Sequence, residues 1–270
     1  MIYKFSVLMS LYYKEQPRYL DECFVSLMDQ TLPASEIVLV FDGEVGIELE
    51  EVVNKWIQIL PIKVFRLPNN IGLGKALNFG LEKCSHELVA RMDTDDICVP
   101  VRFAKQLQNI VSNPEVAILG SSIREVDGVT LSPISNRFVS ENHADIMKEL
   151  PVKNPFNHMT VIYRKSAIEA VGGYKDLPYM EDWYLWLRLL SNGYKGLNCR
   201  DILVVARTGS EMIQRRSGLI YIHSEWLMTK AKVKYGIASK SYALIIFFKR
   251  SIPRLLPGII LQKVYLWARG

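Results

Sequence analysis

The sequence predicts an α/β protein built on a mostly parallel sheet, and three observations carry that expectation. Short apolar runs alternate with helical patterns through the first hundred residues, at the spacing of strand–helix–strand units. The runs are continuous in apolar residues, as strands covered on both faces must be. Polar residues, above all Asp and Asn, stand at nearly every run's carboxyl end.

"FSVLMSL" (Phe5–Leu11) is the first strand, and "RYLDECFVSLMDQT" follows it with Leu20, Phe24, Leu27 and Met28 at helical spacing. "EIVLVFDG" (Glu36–Gly43) is a second strand. "IELEEVVNKWIQIL" is a helix with acids in its first turn, where the helix dipole favours them. "IKVFRLP" is a third strand, Gly72–Cys84 a helix and "ELVARMD" a fourth strand. Beyond Pro100, "VRFAKQLQNIVSNPE" reads as a helix stopped at Asn113–Pro114. "VAILGSSIREVDGVTLSP" reads as two short strands joined around Asp127–Gly128. "FNHMTVIYRKSAIEAVGGY" gives a strand, a turn and a short helix. "EDWYLWLRLLSNGY" (Glu181–Tyr194) is an apolar helix with acids at its start, and "DILVVAR" is a further strand.

Composition excludes several classes. The four cysteines are scattered without a CxxC pair, which argues against a zinc site or a disulfide framework and fits a reducing compartment. "MIYKFSVLMS" reads as a first strand and not as a signal peptide. The net charge of +5 hides an asymmetry: Glu225–Gly270 holds nine Lys/Arg against one Glu, so the preceding chain carries −3. Such a tail points to an anionic partner, nucleic acid or lipid headgroups. No nucleic-acid recognition motif accompanies it, so no nucleic-acid partner is expected. No window reaches eighteen uninterrupted apolar residues, so no bilayer span is expected. "YALIIFFKRSIPRLLPGIILQKVYLWARG" mixes apolar blocks with Lys249, Arg250, Arg254, Lys263 and Arg269, and Pro253 and Pro257 break it. That pattern fits helices lying on an anionic membrane surface; the alternative is a helix docked on the protein with a solvated basic face.

In open α/β sheets, ligands bind beyond the carboxyl ends of the strands. Standing there are Ser10, Tyr12, Asp42, Asn69, Asn70 and the cluster Asp93–Asp96. The three carboxylates of "DTDD" repel unless a cation or hydrogen-bond donors hold them charged. A hard divalent cation, Mn²⁺ or Mg²⁺, suits such a pair; a solvated turn capping the helix after Pro100 is the other reading. Asp42 is either an acceptor for a base or ribose, or a turn aspartate before glycine. "NNIGLGKALNFG" lacks the GxxxxGK[ST] order of a P-loop. Its Gly72 and Gly74 let backbone come close to a ligand, with Lys75 and Asn78 on the helix that begins there. His158 either touches the ligand or is structural. Arg207, Arg215 and Arg216, in "ARTGSEMIQRRSG", either clamp a diphosphate or are solvated charges on a loop.

The order "SVLMSLYYKEQPRYLDECFVSLMDQTLPASEIVLVFDG", "PNNIGLGKALNFGL", "ARMDTDD", "MEDWYLWLR" resembles the inverting family 2 glycosyltransferases. Within them it is most similar to the bacterial enzymes that build O-antigen, capsule and exopolysaccharide repeat units. The resemblance runs over roughly residues 4 to 210, though "SLYYKE" departs from the proline or asparagine common in the family's strand-one loop. It implies a GT-A fold, a UDP-sugar donor and a divalent metal. It implies that Ser10, Tyr12 and Glu15 pack around the base, that Asp42 reads uracil, and that Asn70 and Lys75 belong to the nucleotide-sugar site. Asp93 would face ribose and metal, Asp95 the metal, and Asp182 would be the catalytic base beside Glu181. His158, Arg207, Arg215 and Arg216 would serve acceptor or diphosphate. Residues 1–224 would form the transferase domain, 1–100 holding nucleotide and 101–224 acceptor, with 225–270 a membrane-associating tail. No QxxRW follows the ED motif, so a single addition is expected. The implied function is transfer of one hexose, galactose or glucose in β linkage, to a polyprenyl-diphosphate-linked saccharide at the cytoplasmic face of the inner membrane. Transfer of GlcNAc or GalNAc, or a non-catalytic nucleotide-binding scaffold, are the alternatives.

Overall fold

Four parallel strands at the start of the chain set the frame of the structure, a computed structural model that describes residues 3–208 and 218–255. They are β1 (Ser6–Leu11), β2 (Glu36–Phe41), β3 (Ile62–Arg66) and β4 (Leu88–Arg91), adjacent in the order β3-β2-β1-β4. Helices α1 (Pro17–Met28), α2 (Ile47–Ile57) and α3 (Leu73–Lys83) make the crossovers. Side chains alternate across the sheet. Val7, Met9, Leu39 and Phe41 join Leu20, Phe24 and Trp56 in one apolar layer, while Leu8, Val38 and Val40 meet Ala76 and Leu77 of α3 in the other. Gly80 lets α3 sit directly on the sheet: a Cβ there would lie 2.5 Å from Leu8 Cδ1 and 2.7 Å from Val40 Cγ2.

Beyond β4 the sheet is mixed. The two-residue β5 (Ile97–Cys98) has no periodicity to announce it, and α4 (Arg102–Ser112) follows. β6 (Val116–Asp127) is one twelve-residue strand where a short one was expected, because three strands pair along it. β7 (Pro133–Arg137) and β8 (Ile162–Arg164) run antiparallel to it, and β9 (Lys195–Thr208) runs parallel. β9 therefore starts six residues before "DILVVAR". The hairpin turn falls at Asp127 as expected, with the Asp127 carboxylate accepting from the Val129 and Thr130 N–H groups. The full order is β3-β2-β1-β4-β8-β6-β9-β5, with β7 on the edge of β6.

Helices α5 (His143–Glu149), α6 (Lys165–Ala170) and α7 (Glu181–Ser191) cover the second half, and a 3-10 turn spans His158–Thr160. α8 (Leu219–Lys234) and α9 (Lys240–Ser251) form a helical pair, with α8 seated on α7. The boundary expected between residues 224 and 225 lies inside α8. Among the described residues, no helix is long and apolar enough to cross a membrane.

Candidate active site

The carboxyl ends of β1, β2 and β4 open on one edge of the sheet, and β4 delivers the acids there. Asp93, Asp95 and Asp96 offer oxygens that lie within 4.8 Å of one another. Each is anchored differently. Arg91, fully buried at the end of β4, pairs with the Asp93 carboxylate and donates to the Met92 carbonyl. Thr94 donates to Glu15 in the strand-one loop at 2.6 Å, which ties that loop to the acids. The buried Asp96 accepts from the Arg207 backbone N–H at 2.9 Å, and its second oxygen has no partner. Burial, then Asp93 and Glu15, push Asp95 up to about 7. Burial, then Asp95 and Asp93, hold Asp96 well above the carboxylate range, and Glu15 is raised mainly by burial. An all-oxygen donor set of mutually repelling carboxylates with one unused buried oxygen fits a hard divalent cation. Asp93, Asp95 and Asp96 are the described residues that can hold one.

The second half of the site is the start of α7. The Asp182 carboxylate accepts from Asn154 Nδ2 at 2.6 Å and from the Trp183 N–H at 2.7 Å. Glu181 lies beside Gly74: a Cβ on that glycine would be 3.4 Å from Glu181 Cγ and from Tyr174 Cβ. Burial, ahead of neighbouring Asp182, raises Glu181. Asn78 accepts from the Tyr174 N–H and donates to the Tyr174 carbonyl, so it locks α3 to the α6–α7 loop and does not face a ligand. His158 shares a 2.8 Å hydrogen bond with the Tyr174 hydroxyl and packs on Trp186. Burial and Arg91 lower His158 to about 4, while both Asp182 and Asp93 pull it upward. One imidazole thus lies within electrostatic reach of the base candidate and of the acid cluster.

The remaining expected residues divide. Asp42 is buried and accepts from the N–H groups of Ile71 at 2.7 Å and Gly72 at 3.1 Å. It orders the loop before α3, each oxygen keeping a second lone pair. Gly43, at φ +88, is required beside it, since a Cβ would lie 2.7 Å from the Asn70 nitrogen. Asn70 is exposed in that loop, Ser10 and Tyr12 are half-buried at the end of β1, and Lys75 pairs with Asp176 at 3.1 Å. Arg207 is a correction. Its guanidinium is almost fully buried on the Asp95 carbonyl, Glu22 and the Tyr19 ring, so it braces the acid loop from beneath instead of clamping a diphosphate. Arg215 and Arg216 lie outside the described residues, as do Lys263 and Arg269.

Sequence reasoning missed Arg91, Thr94, Asn154 and Tyr174. Arg91 had a signal: a cation inside an otherwise apolar strand must have a buried partner. Asn154 had none, because its role depends on a contact between chain segments 28 residues apart.

The sequence model of Glycosyl transferase family 2 matches residues 6–172. The amylovoran biosynthesis glycosyltransferase AmsE of Erwinia amylovora is 44% identical over 261 residues, 97% of each chain. The UDP-Gal:alpha-D-GlcNAc-diphosphoundecaprenol beta-1,3-galactosyltransferase of Escherichia coli is 37% identical over 272 residues, 97% of this chain and 96% of its own. Among solved structures, S. aureus TarS 1-349 in complex with UDP-GlcNAc superposes with a TM-score of 0.70 at 20% identity, covering 93% of this chain and 72% of that one.

Proposed function

The chain belongs to glycosyl transferase family 2 and has the GT-A fold, and from that premise we propose a metal-dependent, inverting, single-addition hexosyltransferase. The donor is a UDP-sugar, with galactose or glucose the hexose moved in β linkage. The acceptor is a polyprenyl-diphosphate-linked GlcNAc or oligosaccharide, met from the cytoplasmic side at the membrane surface. The name of the 37%-identical E. coli galactosyltransferase supports this donor and acceptor class. In this reading residues 1–100 hold the nucleotide, residues 101–224 hold the acceptor, and residues 225–270 bring the enzyme to lipid.

The observation that carries the proposal is Asp182, fixed at the start of α7 by Asn154 and by the Trp183 N–H. A carboxylate at a helix N-terminus is favoured by the dipole. Asp182 takes the proton of the acceptor hydroxyl as that oxygen attacks the anomeric carbon in line, and its two anchors keep the receiving oxygen aimed. Mn²⁺ or Mg²⁺ on Asp93 and Asp95, when bound, supplies positive charge for the departing UDP. Arg91 and Arg207 hold the acid loop in place, and Asp42 orders the loop that would border the base.

The test is a panel of UDP-sugars offered with a synthetic lipid-diphosphate GlcNAc acceptor. One UDP-hexose is expected to be consumed, with EDTA abolishing transfer and Mn²⁺ or Mg²⁺ restoring it. Transfer of no hexose would overturn the donor assignment. Full activity in excess chelator would remove the metal role given to Asp93 and Asp95.

A further inference from the structure

Helix α9 carries large apolar side chains on its solvent side as well as on its buried side. Arg250 near its end, and Arg254 in the 3-10 turn (Ile252–Leu255) that follows, point inward and reach buried Glu225, at 2.7 and 3.4 Å. Ala243 and Ile246 pack on the protein, and a second set of apolar residues points outward. Tyr242, Ile245 and Phe248, with Ile252 just past its end, are 42%, 52%, 54% and 59% exposed and recur every three or four residues, which places them in one stripe. The stripe continues onto α8 through edge contacts from Phe248 to Phe247 (5.4 Å) and from Phe247 to the half-exposed Trp226 (5.4 Å). Exposed Lys230, over the Trp226 ring, and Lys249 flank it.

We propose that this outward face of α9, extended by Trp226, is a docking surface for an anionic lipid bilayer. Apolar side chains including aromatics, edged by lysines, are what a helix lying in the headgroup region presents. The charge excludes the nearer alternatives. A second copy pairing through the same face would bring two lysine-edged faces together. Residues 256–270 hold Lys263 and Arg269 and no acid, so they do not complement the flanking lysines. Anionic headgroups do. The inward arginines explain how the helix meets lipid without spending its own positive charge on it: they anchor α9 to the body through Glu225, and the lysines face out. The inference rests on the membrane-side reading above only for its choice of lipid. Vesicle binding needs neither donor nor acceptor, so its failure would leave the transferase reading untouched.

The experiment is co-sedimentation of the full chain with phosphatidylglycerol-containing vesicles and with phosphatidylcholine vesicles, read alongside thermal unfolding and light scattering. The native chain is expected to pellet with the anionic vesicles, less so as salt rises, and to stay in solution with the neutral ones. Ile245→Glu with Phe248→Glu should weaken binding about tenfold or more with an unchanged unfolding temperature, since both side chains are exposed. Lys230→Glu with Lys249→Glu should weaken it by a similar order. The proposal is overturned if the native chain ignores anionic vesicles or if the chain with Ile245→Glu and Phe248→Glu pellets like the native chain. It is overturned equally if Ile245→Glu with Phe248→Glu only converts a dimer to a monomer, or if binding is lost on deleting residues 256–270 but survives Ile245→Glu with Phe248→Glu.

Discussion

Glu36 shows what this chain requires of a buried carboxylate that stays charged. It sits at the start of β2, away from the site edge, and is ringed by Ser6 Oγ (2.6 Å), Lys63 Nζ (2.7 Å) and the Ser85 N–H (2.5 Å) and hydroxyl (3.0 Å). Burial pushes its pKa up, but these partners outweigh burial and bring it down to about 2. A carboxylate lowered from the usual 4.5 contributes stability in full above that value and loses it as pH falls towards 2. Glu36→Gln is therefore expected to cost about 2 kcal/mol in urea unfolding at neutral pH, the gap to the native chain narrowing at about pH 3 and below. An equal gap at both pH values would contradict the assignment. Asp95 and Asp96 are the opposite case, acids held above their usual range by burial first, then by Asp93 and Glu15 for Asp95 and by Asp95 and Asp93 for Asp96. At this scale the sequence was legible for acids at strand ends, since each lies within a few residues of its strand. It was not legible for Arg207. A guanidinium after a strand looks alike whether it faces solvent or lies under a loop 112 residues away.

Among elements, the parallel half was read nearly to the residue because its strands carry unbroken apolar runs between helices of clear period. β6 and β9 were read short, since their length comes from pairing with each other, which no local pattern encodes. The helical pair at the end of the chain has a consequence for the site. Arg250 donates to the Val152 carbonyl at 3.1 Å and lies 4.8 Å from the Trp183 ring, while Trp183 Nε1 donates to the Leu150 carbonyl at 3.0 Å. Val152 is two residues from Asn154, and Trp183 is next to Asp182, so α9 braces both members of that pair. Arg250→Met should lower stability by about 3 kcal/mol, because it strips a partner from buried Glu225. It should also lower kcat, with KM for the donor little changed. Adding Glu225→Leu should recover most of the stability and not the kcat; recovery of both would mean that Arg250 serves the fold alone.

For the whole molecule, the described part of the basic tail is both scaffold and surface. Cutting the chain after Ser241 would remove Arg250 and Arg254 from Glu225, so loss of vesicle binding on truncation would not by itself locate the lipid contact. Substitutions on the outward stripe separate the two. What ties sheet, tail and acid cluster together is one claim, that α7 presents Asp182 as a base towards a UDP-sugar held at the β4 acids. Comparing Asp182→Asn with the native enzyme tests it most directly, by transfer of a labelled hexose alongside calorimetric binding of UDP. Transfer is expected to fall by about a thousandfold or more while UDP affinity stays unchanged. Unchanged turnover in Asp182→Asn would contradict the account.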